Sequence, residues 1–271
     1  LGDFFYANID ENDPEEFRSQ YERALSRPAQ AALYRSTAVD YIWDDHDFGA
    51  NDSDSTSPSK PAALETYHGT APHHPLPDGG AIYHSFSVGR VRFIVTDTRA
   101  TRTPSTMLGA RQTAWLGREL LASKRDGQLA VWVNSVPWIA PARAGSDSWA
   151  GYPGERRRLA NFVARNRIRN VLMLSGDAHM VAIDDGRNNR YATAGDASFP
   201  VMHAAALDRR GEVKGGPYSE GALGGSGQFG TVTVRDPGAS RVEVALVGWN
   251  HRGEKLMAHT FVRTLGKPLG Q

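Results

Sequence analysis

The sequence predicts a layered α/β fold with antiparallel edges, in which a pair of sheets is flanked by helices. Three observations carry that expectation. Short β-branched runs alternate with helix-period segments through the middle of the chain, and the last part of the chain holds strand patterns alone. The composition, 40% hydrophobic and 23% charged over 271 residues, is that of a globular chain long enough to bury a large core. Cysteine is absent, which excludes disulfide scaffolds, thiolate metal sites and cysteine nucleophiles together. Arg, Asp or Gly interrupts every apolar run before the ~18 residues a membrane helix needs. With 31 basic against 30 acidic residues the net charge is +1, so there is no broad basic field to hold nucleic acid.

Residues 14–34 read as a helix. Asp13 can cap it, Pro14 suits its first position, and Glu15 and Glu16 favour the positive end of the helix dipole. Phe17, Tyr21, Ala24 and Leu25 form one apolar stripe, and Pro28 is placed to divide the segment in two. Residues 39–43 read as a short strand ending in Asp44-Asp45-His46-Asp47, followed by a loop over 49–60 rich in Asn, Asp, Ser, Thr and Pro. Residues 81–88 and 90–96 are two β-rich runs around Gly89. A second helix covers 108–123, with Trp115, Leu116, Leu120 and Leu121 on one face. A buried strand follows at 130–135, then a helix at 155–166. The strand at 170–174 runs into Ser175-Gly176-Asp177-Ala178-His179. A glycine-rich loop spans 221–230, and strands at 231–234 and 242–247 close the pattern. No internal repeat and no long linker occurs, so one domain over 1–271 is expected.

Several familiar devices fail on context. Gly225-Ser226-Gly227-Gln228-Phe229-Gly230 matches a dinucleotide fingerprint but leads into a strand, where no helix N-terminus meets a pyrophosphate. Asp45-His46-Asp47-Phe48-Gly49 begins like a calcium loop, yet its Gly comes one position early and Thr56 stands where the bidentate acid belongs. What remains are polar clusters: Gly2-Asp3-Phe4-Phe5-Tyr6, Asp44-Asp45-His46, and Gly176-Asp177-Ala178-His179. The last two follow strand patterns, and strand ends hold side chains rigidly at one rim of a sheet. Carboxylate, imidazole and phenol are ligands for Fe, Mn, Zn or Ca. Two such ions about 3.5–4 Å apart activate water and clamp a phosphoryl group. Read singly, Asp3 also suits a turn cap, Tyr6 a core aromatic and the acids near 44–54 a solvated loop. His73 and His74 read as surface residues, and His203 and His251 are open.

Taken together the motifs resemble a known family. Gly2-Asp3-Phe4-Phe5-Tyr6 is similar to the GDxxY motif of purple acid phosphatase-type metallophosphoesterases. A longer pattern resembles alkaline phosphatase D, the PhoD-like phosphatases and phosphodiesterases. It comprises Trp43-Asp44-Asp45-His46-Asp47-Phe48-Gly49 with Asn51-Asp52, then Val95-Thr96-Asp97-Thr98-Arg99 with Arg102. Met107-Leu108-Gly109 with Gln112 and Trp115-Leu116, Asp147-Ser148-Trp149 before Tyr152-Pro153, and Ser175-Gly176-Asp177-Ala178-His179 complete it. The resemblance implies a four-layer αββα sandwich of two mixed sheets flanked by helices.

It also implies two or more metal ions, Fe3+ with Ca2+, or Zn2+ or Mn2+ in their place. Asp3 would bridge two ions and Tyr6 would bind the ferric one. Asp45, Asn51, Asp177 and His179 would be further ligands. His46 would donate a proton to the leaving group, and Arg99 would hold phosphate oxygens bidentately. The activity implied is hydrolysis of phosphate monoesters or diesters by a metal-bound hydroxide, on a small phosphate ester or a phospholipid head group. Alternatives are a phospholipase D-like diesterase, a metal hydrolase of non-phosphate esters, and a non-catalytic metal-binding remnant. The family's earlier strand, with a further ligating Asp, would precede Leu1, so an N-terminally truncated domain is expected. Asn134 or Ser135 would stand where purple acid phosphatases carry a His. The resemblance also implies an exported protein, although the chain itself carries no export signal.

Overall fold

The computed structural model describes residues 1–204, 206–238 and 240–266. Fifteen elements follow one another as α1 Pro14–Leu25, α2 Pro28–Ser36, α3 Lys60–Thr70, β1 His84–Val88, β2 Val91–Val95, α4 Gly109–Arg125, β3 Leu129–Val133, α5 Pro153–Arg165, β4 Val171–Ser175, β5 Met180–Asp184, β6 Val201–Ala204, β7 Ala222–Gly224, β8 Gln228–Arg235, β9 Arg241–Asn250 and β10 Lys255–Thr264. Asp13 caps α1, accepting from the amides of Glu15 (2.9 Å) and Glu16 (3.3 Å). Pro28 opens α2, as expected of a proline that cannot continue a helix but suits its first turn.

A seven-stranded mixed sheet runs in the order β1-β2-β3-β4-β6-β5-β7, and a second sheet runs β10-β9-β8. β2, β3, β4 and β6 are parallel neighbours, while β1, β5 and β7 pair antiparallel. The expectation of two mixed sheets needs one correction: the second sheet is antiparallel throughout. Its three strands are joined by connections too short for a parallel crossover.

β3 is buried along its whole length, as a strand covered on both faces must be. Trp132 on this strand packs edge-on against Trp138 at 5.2 Å, and Trp138 against Trp149 at 5.0 Å. Burying each such ring is worth about 4–6 kcal/mol of transfer free energy. α4 lies against β2 and β3. The second sheet packs on β5 and β6. There Gly248 lets the sheets approach, since a Cβ at that position would lie 2.6 Å from Val181 Cγ2.

Elsewhere the structure departs from the sequence reading. Residues 39–43 make no strand; Tyr41, Ile42 and Trp43 are buried in an irregular segment instead. Its polar backbone is satisfied across the chain, with Tyr67 Oη donating to the Tyr41 carbonyl at 2.8 Å and the Gly2 amide to that of Ile42 at 2.8 Å. α3, β5, β6 and β10 were not anticipated, and β7 and the start of β8 lie inside the segment read as a glycine-rich loop. The consequence for function is geometric. The parallel strands β2, β3, β4 and β6 deliver the segments following residues 95, 133, 175 and 204 to one rim of the large sheet.

Candidate metal centre

The backbone is unusual where chemistry-bearing residues gather. Among the described residues six non-glycine residues have positive φ, and five of them are Asp3 (44°), Asn8 (53°), Asp52 (58°), Asp177 (69°) and His179 (48°). L-residues enter this left-handed region at a cost, so surrounding structure must hold them there. Asp3 is held because the amides on either side are tied down, Gly2 to the Ile42 carbonyl and Phe4 to Asp47 Oδ2 at 2.8 Å. Asp177 and His179 sit in the tight connection between β4 and β5, where the Gly176 amide donates to the Ser135 carbonyl at 3.0 Å.

These turns converge on Asp45. One ligand atom from each of Asp3, Asp45 and His46 lies within 4.8 Å of the others; the same holds for Asp44, Asp45 and Asp177, and for Asp45, Asp52 and Asp147. Asp45 belongs to all three groups, whereas the resemblance gave the bridging place to Asp3. Asp45 is itself steadied by the His46 amide (3.0 Å) and the Asp52 amide (2.7 Å). Tyr6 Oη lies 3.5 Å from His179 Nε2, close enough to share one ion. The Tyr6 ring stacks on His46 with centroids 3.4 Å apart, and His46 Nδ1 is hydrogen-bonded to Asn8 Oδ1, which leaves Nε2 facing Asp45 at 4.0 Å. Asn51 lies exposed in the following turn; it is the neighbouring Asp52 whose carboxylate joins Asp45 and Asp147.

Arg99 requires a correction. The sequence reading gave it a free fork for phosphate, but its side chain is fully buried. Nε donates to Asp44 Oδ1 at 2.6 Å, and Nη1 and Nη2 grip Asp147 at 2.8 and 2.7 Å. Arg102 reaches the same Asp147 and also donates to Tyr152 Oη at 2.9 Å. Arg99 therefore positions carboxylates, with Asp44, Asp147 and the Ser53 carbonyl taking its hydrogen bonds. Asn134 and Ser135 are likewise structural: Trp149 Nε1 donates to Asn134 Oδ1 at 3.1 Å, and Ser135 Oγ to Asp44 Oδ1 at 2.7 Å. Asp97 is engaged by the groups around it: its carboxylate accepts from Trp43 Nε1 and from the amides of Ile82, Arg99 and Ala100. Asp52, Asp147 and the exposed Arg209, whose guanidinium carbon lies 3.5 Å from the Tyr6 ring centroid, were not assigned from sequence. Asp52 and Asp147 stand inside the motifs, but Arg209 lies in none of them.

The electrostatics define what the cluster accepts. Burial, then the Asp44, Asp47, Asp45 and Asp177 charges, push Asp3 up to about 10. Burial, then Asp44 and Asp147, push Asp177 far above the carboxylate range. Burial raises Asp44 to about 6 against the pull of Arg99. Burial also pushes Asp147 upward, but the Arg99 and Arg102 guanidiniums overcome it and hold it low. Burial lowers both His46 and His179, keeping the imidazoles neutral and able to coordinate. Asp3 Oδ1 and Asp44 Oδ2 are buried with no hydrogen-bond partner among the described residues. Orphaned buried carboxylate oxygens are costly unless a proton or a cation meets them. A hard oxygen-rich set with imidazoles fits a metal ion by donor chemistry as well.

The fold is a layered α/β sandwich like that of the solved phosphatase structures below, with a carboxylate–imidazole cluster at one rim. The PhoD-like phosphatase family matches residues 7–213, and the chain belongs to that family. It is 27% identical over 204 residues to alkaline phosphatase D of Bacillus subtilis (strain 168), covering 61% of this chain and 35% of that protein. The solved structure of PhoD superposes with a TM-score of 0.72 at 19% identity, over 98% of this chain and 64% of that one. The purple acid phosphatase PPD1 from yellow lupin (Lupinus luteus) seeds superposes at 0.57 with 13% identity, over 96% and 45%. The chain thus spans about a third of the length of its curated relative.

Proposed function

We propose that this chain is a metal-dependent hydrolase of phosphate monoesters or diesters, acting at the carboxylate–imidazole cluster around Asp45. The observation that carries the reading is the convergence of Asp3, Asp44, Asp45, Asp52, Asp147 and Asp177 with His46 on one rim, with buried oxygens left without partners. Family membership supports the phosphoester class. Metal ions, when bound, would lower the pKa of a water molecule and neutralise charge on the phosphoryl group. Asp3, Tyr6, Asp45, Asp177 and His179 would hold them, with Asp44, Asp52 and Asp147 close by and Asn51 a more distant candidate. Fe3+ with Ca2+, or Zn2+ or Mn2+, suits these ligands.

The remaining steps belong to the protein's own residues. Arg99 and Arg102 fix Asp147 and Asp44, so that the acids stay in place while charge at the centre changes. His46, with Nδ1 engaged by Asn8, presents Nε2 to the cluster and is placed to pass a proton to the leaving alcohol. A cleft of about 620 Å³ opens from Asp3, Tyr6, Asp177 and His179 toward Gln20, Arg23 and Tyr34. That volume accommodates a small phosphate ester or a lipid head group. No helix among the described residues is long and apolar enough to cross a membrane; export from the cell is proposed from the family alone. This reading treats 1–271 as one catalytic domain.

Hydrolysis of 4-nitrophenyl phosphate and bis(4-nitrophenyl) phosphate, with elemental analysis of the same samples, tests the proposal. Metal-loaded protein should cleave at least one ester, and Asp45→Asn should lower kcat/KM at least ~100-fold (about 2.7 kcal/mol of transition-state stabilisation) together with the metal content. Metal retained with neither ester cleaved would instead support a metal-binding remnant without catalysis.

A further inference from the structure

We propose that Arg209, carried on the segment that follows β6, grips a phosphate oxygen at the mouth of the metal cluster, the task that buried Arg99 cannot perform. The inference rests on the phosphoester reading above and adds a substrate-binding residue to it. The cluster needs such a group. A phosphoryl substrate carries up to two negative charges into a site built from carboxylates, and both nearby guanidiniums, Arg99 and Arg102, are buried and ion-paired with carboxylates of the cluster, Arg99 with Asp44 and Asp147 and Arg102 with Asp147.

Arg209 has what they lack. Its guanidinium carbon lies 3.5 Å from the centroid of the Tyr6 ring, and the His46 ring lies 3.4 Å from the same centroid. Two groups that close to one ring must occupy opposite faces, so Tyr6 is sandwiched between the imidazole and the guanidinium. Arg209 is exposed, and among the described residues its side chain makes no hydrogen bond or ion pair. A guanidinium stacked on an aromatic face keeps its N–H bonds directed outward, in the geometry that meets two phosphate oxygens at once.

The segment is also anchored. Gly211 passes so close to His179 that a Cβ there would lie 2.2 Å from the His179 Cβ, a space only glycine leaves. The Arg210 carbonyl lies 3.4 Å from His179 Nδ1, and the Lys214 amide donates to Met180 Sδ at 3.4 Å. On the other side Asp208 pairs with Arg27 at 3.8 Å, joining the segment to the turn between α1 and α2. Arg23 and Arg27 line the same cleft, where Asp208 already pairs with Arg27, so Arg209 and Arg23 are the guanidiniums of this cleft left to meet an anionic ligand.

The test is titration of inorganic phosphate into metal-loaded protein by isothermal calorimetry, with elemental analysis of every sample. Arg209→Ala should weaken phosphate binding at least tenfold at unchanged metal content, and Arg209→Lys should recover part of the loss. In steady-state assays Arg209→Ala should raise KM for 4-nitrophenyl phosphate more than it lowers kcat. Three outcomes overturn the proposal: equal phosphate affinity in wild type and Arg209→Ala, loss of bound metal in Arg209→Ala, or no phosphate binding by the loaded wild type. The first would mean that the arginine merely packs on Tyr6, and the second that it supports the ligand. Protein that binds phosphate through Arg209 yet hydrolyses neither nitrophenyl ester would sink the catalytic reading while leaving this one standing.

Discussion

The guanidinium of Arg99 is enclosed by Asp44, Asp147 and the Ser53 carbonyl, with Asp45 3.9 Å away. Removing a charge from water costs several kcal/mol, and only multiple short hydrogen bonds from partners of opposite sign offset it. Its planar fork meets Asp147 with two parallel bonds and Asp44 with a third, an arrangement a lysine ammonium cannot reproduce. Arg99→Lys should therefore destabilise the chain by about 3–5 kcal/mol, because carboxylates remain buried and incompletely paired. The urea midpoint of metal-free protein measures this. A variant as stable as wild type would show that Asp44 and Asp147 do not depend on the fork.

At the scale of elements, the site is assembled where strands stop. β4 ends at Ser175, the chain turns through left-handed Asp177 and His179, and β5 begins at Met180. Beside this turn β4 and β6 pair with Ser175 opposite His203, and Ser175 Oγ lies 3.1 Å from His203 Nδ1. His203 is buried, and burial, then Lys214 and His179, lower it from 6.5 to about 3. The folded state thus favours the neutral ring. Stability from this group is fully present above pH 6.5, the value for the unfolded chain, and is lost progressively as pH falls toward 3. At pH 5 the loss amounts to about 2 kcal/mol. His203→Gln keeps a hydrogen-bonding group at that position but does not titrate. Chemical denaturation at pH 7 and pH 5 should show a smaller difference for the variant than for wild type; an equal difference would remove His203 as a source of acid sensitivity.

Across the whole molecule, Asp3, Asp45, Asp147 and Asp177 come from four segments far apart in sequence and share one rim. A cation bound there ties those segments together only in the folded chain. On the proposed metal binding, folding and binding would be linked, and free metal at 100 times its dissociation constant should add about 2.7 kcal/mol. Melting temperature should rise with metal concentration and fall on chelation, and Asp45→Asn should flatten that dependence. A melting temperature indifferent to chelator would mean that the carboxylates settle their repulsion through protons alone.

Much of this was legible in the chain itself. Local chemistry determined the α1 cap at Asp13, the break at Pro28, the buried β3 and the helices α4 and α5, since caps, fixed φ and apolar periodicity act over a few residues. The motifs around Asp3, Asp45 and Asp177 pointed to metal-ligating acids for a similar reason: each is a short run of unusual residue types. What tertiary structure decided was which partner each charge meets. Residues 39–43 look like a strand but are held as buried coil by Tyr67 and Gly2, far away in sequence. Arg99 resembles a ligand clamp until burial delivers it to Asp44 and Asp147. Arg209 carries no motif and gains its place only because β6 ends beside β4. Propensity is a property of neighbours along the chain, whereas electrostatics and burial depend on neighbours in space.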